Sequence, residues 1–172
     1  MLFVHWGNEY INRPSVQQKH FAHWLVDAGF DLIIGMHPHV LQGYEDYKGK
    51  RIYYSLGNFV FDMAWEPCKY GAIVGVDFSN GEPVFTEQYV RIDKYCAPEV
   101  IEEEIVPLRF RFSSLNEVLK ADYNSEEYHA EITRNYLLYK KDNHKKIASD
   151  IVRHPKSGIR ILIDFVKRRF NK

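Results

Sequence analysis

The chain has 172 residues, and its 23 basic and 23 acidic side chains leave no net charge. That length fits one ordinary domain or part of a larger one, and 45% hydrophobic residues are enough for a sizeable core, which excludes global disorder. A dedicated nucleic-acid binder carries a basic excess that this chain lacks.

In chain order, Leu2 to Val4 is a short apolar run that reads as the end of a buried strand. Pro14 is expected to open a helix, since its missing N–H costs nothing in the first turn. Val16, Phe21, Ala22, Leu25 and Ala28 recur near helical spacing, and Gly29 closes that helix. Asp31 to Met36 is almost wholly apolar and predicts a strand buried on both faces, completing a strand–helix–strand unit. Ile52 to Leu56 predicts a strand ended by Gly57-Asn58, and Ala72 to Phe78 predicts another. Ser79-Asn80-Gly81 is a hairpin signal, which makes Val84 to Ile92 an antiparallel partner. Ile101 to Arg111 is expected to hold a further strand.

From Ser114 the sequence turns helical and charged. Helices are expected over Ser114–Lys120, Ser125–Lys146, Ile147–His154 and Gly158–Phe170, the last with a basic end, Lys167-Arg168-Arg169. Ser125 with Tyr128 lacks a full capping box, although Glu126 and Glu127 suit a helix N-terminus. The expected fold is α/β in the α+β sense: residues 1–112 carry sheet and chemistry, and residues 113–172 form a charged helical extension. Cys68 and Cys96 are too few for a disulfide scaffold and read as ordinary thiols. No run approaches the roughly 20 apolar residues of a membrane span. Met1-Leu2-Phe3-Val4 passes straight into His5-Trp6-Gly7, with no basic region of a signal peptide.

Three stretches carry candidate chemistry. Gly35-Met36-His37-Pro38-His39 follows an apolar strand, and strand ends are where α/β proteins place their sites. Pro38 pushes His37 toward extended backbone, so the two imidazoles at i and i+2 are expected to face one metal. The bland alternative is a surface loop with two solvated histidines. His5-Trp6-Gly7-Asn8-Glu9 also follows a strand; Glu9 is a candidate acid or base, or a hydrogen-bond partner of a ligating histidine. Ser55-Leu56-Gly57-Asn58-Phe59 places Asn58 at a strand end, where it offers an amide to a site or makes a plain turn. Glu45 is a candidate site carboxylate. His20 and His23 sit three apart in a helix without the four-residue ligand spacing, so neither is an expected ligand. His129, His144 and His154 read as solvated.

Taken in order, HWGNEY, RPSVQQ, LVDAGFDLIIGMHPHVLQ and YKGKRIYYSLGNFVFD resemble the second half of the bacterial capsule-synthesis family, also called poly-γ-glutamate capsule biosynthesis proteins. The resemblance is dense over residues 2–62 and thins toward residue 110. It implies a partial metallophosphoesterase-like sandwich of sheets and helices. It further implies that His5, His37 and His39 match metal-ligand positions for a divalent Mn, Fe or Zn ion, and that Glu9, Glu45 and Asn58 match motif positions. The Asp-x-His, Gly-Asp and Asn-His motifs of that superfamily are expected ahead of His5 and find no place there, so the chain reads as a fragment or half with little activity of its own. The implied function is a metal-dependent hydrolase of surface-polymer synthesis. The alternative is a non-catalytic component of the same machinery. Expected partners are the missing N-terminal half or a capsule-synthesis assembly. No nucleic acid is expected, and membrane contact is expected only through the basic C-terminus. Location stays open between the cytoplasm for a complete chain and the cell envelope for one with an N-terminal anchor.

Overall fold

A computed structural model describes residues 1–79, 81–155, 158–160, 163 and 167. The elements are β1 (Leu2–His5), α1 (Val16–Asp27), β2 (Leu32–Met36), β3 (Leu41–Tyr47), β4 (Lys50–Leu56), β5 (Tyr70–Asp77), β6 (Val84–Ile92), β7 (Pro98–Ile101), α2 (Phe112–Lys120) and α3 (Ser125–Arg153). The first sheet has the order β1-β2-β4-β3, with β1, β2 and β4 parallel and β3 antiparallel to β4. The second sheet is the antiparallel meander β5-β6-β7. The chain is therefore α+β, with a helical C-terminal part.

Alternation along the strands sorts the first sheet into two packed faces. Ile33, Ile52 and Tyr54 point toward α1 and bury Ala22, Leu25 and Val26. Leu32, Ile34, Leu41 and Tyr53 point toward the second sheet, where they meet Tyr70, Ala72 and Tyr89. Phe110, Phe112 and Leu115 close that second cluster, so α2 packs into the same core as the strands. Each such side chain, fully buried, adds about 1.5–3 kcal/mol. Among the described residues no helix is long and apolar enough to cross a membrane.

Several boundaries differ from the sequence expectation. Helix α1 starts at Val16 under a Ser15 cap, whose hydroxyl accepts from Gln18 N at 3.0 Å; Pro14 precedes the cap rather than opening the helix. Strand β3 has no counterpart in the sequence reading, which left residues 41–47 between the histidine loop and the next strand. The stretch expected as a strand over Ile101–Arg111 ends at Ile101 and continues as two 3₁₀ turns, Glu103–Ile105 and Leu108–Phe110. Helix α3 is continuous where two helices were expected. Its capping box is complete, with Asn124 as the cap and Glu127 as the reciprocal partner. Most of the last predicted helix, and Arg168-Arg169 of its basic end, lie outside the described residues.

Candidate metal centre

Because β1, β2 and β4 run parallel, their carboxyl ends meet at one end of the first sheet, the place where open α/β sheets carry their sites. His5 is the last residue of β1, His37 follows the last residue of β2, and Asn58 lies two residues beyond β4. Trp6 N donates to Met36 O at 3.0 Å and Tyr10 N donates to Pro38 O at 2.8 Å, so the loops after β1 and β2 are tied together.

The three predicted imidazoles come together there. The His5 and His37 ring centroids are 4.5 Å apart, and those of His37 and His39 are 6.0 Å apart. Pro38 does not achieve this through plain extended backbone, as the sequence suggested. His37 has φ 107° and His39 φ 60°, both left-handed. Such conformations in non-glycine residues cost about 1–3 kcal/mol each and persist where the surroundings over-determine them.

Glu9 joins the cluster. One donor atom each from Glu9, His37 and His39 lie within 4.8 Å of one another. The 3.8 Å between His39 Nε2 and Glu9 Oε1 is too long for a hydrogen bond. It suits two donors each about 2.1 Å from one ion. His5 stands against His37 but outside that converging group. Burial, and then the neighbouring His5, hold the His37 imidazole below its ordinary range, which favours the neutral, ligating form.

Asn58 is committed to orientation. Its side chain is buried, and its Nδ2 donates to Cys68 O at 3.0 Å. Its Oδ1 is therefore the acceptor that faces His39 Nδ1 at 2.9 Å. This network assigns the proton of His39 to Nδ1 and leaves the Nε2 lone pair toward Glu9 and His37. Replacing Asn58 with leucine keeps the volume and removes the acceptor. The expected result is metal affinity about 10–100-fold weaker by calorimetric titration, the usual cost of losing a residue that orients a ligand. Unchanged affinity would show that the tautomer is set elsewhere.

Glu45 is not brought to this cluster. It sits on β3 opposite Ile52, which pairs with Ile33; Ile33 in turn pairs with Leu2, three residues before His5. At about 3.3 Å per residue that is roughly 10 Å short of the strand ends. Its carboxylate instead lies 2.7 Å from His23 Nε2 and accepts from Tyr54 OH at 2.6 Å, joining α1 to the sheet. His23, set aside as a ligand, stacks on Tyr47 at 3.9 Å. The sequence reading missed Tyr10, whose ring lies near His39, and Trp65, Tyr136 and Tyr139, which lie around Tyr10. Aromatic residues alone carry no signal of that kind.

The family model for the bacterial capsule synthesis protein PGA_cap matches residues 1–63. That match covers 63 of the 172 residues. His5, Glu9, His37, His39 and Asn58 all lie inside the matched segment. "Capsule biosynthesis protein CapA" of Bacillus anthracis is 55% identical over 71 residues, which is 41% of this chain and 17% of that protein. "PGA biosynthesis protein CapA" of Bacillus subtilis (strain 168) is 51% identical over 70 residues, 41% of this chain and 18% of that protein. A "probable polyglutamine synthesis accessory protein" of Mycobacterium tuberculosis is 28% identical over 119 residues, 69% of this chain and 29% of that protein. The matches thus span less than a third of the length of these relatives.

Proposed function

We propose that this chain carries part of a metal-dependent, phosphoesterase-like hydrolase centre that serves capsule or poly-γ-glutamate biosynthesis. The observation that supports it is the convergence of Glu9, His37 and His39 at the carboxyl ends of parallel strands, with His39 held in its ligating tautomer by Asn58. Nitrogen donors with one carboxylate suit Zn, Fe or Mn. Glu9, His37 and His39 hold the ion, and Asn58 orients His39. His5, beside His37, is available as a fourth donor or to move a proton. A divalent ion bound there supplies Lewis-acid polarisation of a phosphoryl or carbonyl oxygen.

The same set provides for one ion, not a two-ion clamp, so the chain alone is expected to show little or no phosphodiesterase activity. The further partner is a polypeptide that extends the first sheet. Strand β1 is its outer strand, and Phe3 on its face is 60% exposed. The strand LFVH carries none of the charges, prolines or bulges that blunt a free edge. The second reading, a non-catalytic accessory component, is favoured by the one-ion donor set and by the name of the mycobacterial relative.

The deciding experiment titrates the chain with Mn²⁺ and Zn²⁺ across pH. One equivalent is expected to bind, with affinity falling as pH drops, because protons compete for imidazole. For His37, already held below its ordinary range, that competition sets in at lower pH. Absence of binding at pH 7.5 sinks the metal centre. Robust phosphodiesterase turnover by the chain alone sinks the one-ion account.

A further inference from the structure

Helix α3 lies outside the segment matched by the family model, yet it reaches the candidate centre from the other side. Asn135 Nδ2 donates to Tyr10 O at 2.8 Å, with both residues buried. Tyr139 stacks on the Tyr10 ring at 4.2 Å and 16°. The same ring lies 6.4 Å from the His39 ring, at 24°. Tyr10 N donates to Pro38 O, the carbonyl between the two histidines. Tyr10 is thus held on its backbone oxygen and its ring by α3, while its backbone nitrogen holds the His37-Pro38-His39 loop.

Tyr10 is itself left-handed, at φ 65°. Together with His37 and His39, three non-glycine residues in this one place hold a conformation that relaxes unless clamped. The contacts from α3 supply the clamp. The helix also builds space beside the donors. A cavity of about 320 Å³ is lined by Glu9 and His37 on one side and by Ile132 and Tyr136 of α3 on the other. That volume lies at the small end of ligand sites. It suits one small unit with an anionic end toward His37 and an apolar flank on the α3 side.

We propose that α3 is part of the site. Asn135 is a positioning residue that holds His37 and His39 through Tyr10, and Tyr136 is the wall on which a bound group rests. This rests on the metal centre proposed above. The test uses the full chain with Co²⁺ as the metal probe. Asn135→Leu is expected to weaken Co²⁺ binding by about tenfold and to change the visible spectrum of the bound ion. Val106→Ala, which opens the core away from the site, is expected to lower stability while leaving both unchanged. Tyr136→Ala is expected to keep Co²⁺ affinity and to bind inorganic phosphate several-fold more weakly in the Co²⁺-loaded chain.

A wild-type chain that takes up no Co²⁺ removes the proposed function, and the positioning role is then read without metal. In long-range ¹H–¹⁵N imidazole spectra, Asn135→Leu is expected to move the His37 and His39 signals, and Val106→Ala is not. Unmoved signals in Asn135→Leu, or the same movement in Val106→Ala, overturn the positioning role. Absence of phosphate binding by the Co²⁺-loaded wild type, or equal binding by Tyr136→Ala, overturns the wall.

Discussion

The His37→Ala, His39→Ala double variant is expected to lose divalent-metal binding by more than about 100-fold while remaining folded. Losing a residue that merely orients a ligand costs about 10–100-fold, and here two of the three converging donors disappear, leaving Glu9 with His5. Folding is spared because neither side chain belongs to a core cluster: both are partly exposed at the strand ends. A second effect follows from the backbone. His39 has φ 60°, where a Cβ costs about 1–2 kcal/mol relative to glycine. His39→Gly is therefore expected to melt above His39→Ala, by about 1 kcal/mol in denaturant titrations, with metal affinity equally lost. Retained metal affinity in the double variant would remove the proposed centre. Identical melting of the glycine and alanine variants would remove the strain account.

Gly35→Ala is expected to be the most damaging single methyl in the first sheet. A Cβ there would lie 2.1 Å from Tyr54 O and 2.4 Å from Trp6 Nε1. Those two groups bond to each other at 2.9 Å across the face of Gly35, in a buried hydrogen bond. One of them is backbone and cannot rotate away. Overpacking costs about 1–3 kcal/mol, and breaking a buried hydrogen bond adds about 1–3 kcal/mol. The sum is a large share of the roughly 5–15 kcal/mol that holds a domain together. Thermal melting is expected to fall by roughly 4–24 °C, at about 2–4 °C per kcal/mol for a chain of this size. Metal binding is expected to weaken with it, because Gly35 is two residues from His37 and Trp6 is next to His5. A melting point within 2 °C of wild type would show that the Trp6–Tyr54 bridge yields without cost.

The unit β1-α1-β2 was legible because its signals are local: an apolar run, a helical spacing ended by Gly29, and a second apolar run. The hairpin β5-β6 was legible for the same reason. Strand β3 was not, because LQGYEDY mixes polar and apolar residues on an outer strand. Its turn to β4 is Lys48-Gly49, at φ 51° and 75°, and lacks the Asn-Gly signature. The boundary at Ile147 was misplaced because charge along a long exposed helix carries no stop signal.

By itself, the sequence determined which residue types stand at which strand ends: His5 at the end of β1, His37 and His39 after β2, Asn58 after β4. That placement needs only local periodicity and turn chemistry, which a few neighbouring residues decide. Only the tertiary structure decided how those residues are used. Parallel register put the three strand ends side by side and left Glu45 some 10 Å back, with His23 and Tyr54. Left-handed backbone at His37 and His39 turned their rings together. The bond from Asn135 to Tyr10 spans 125 residues of sequence, and no periodicity within a segment encodes a contact set by the docking of a distant helix.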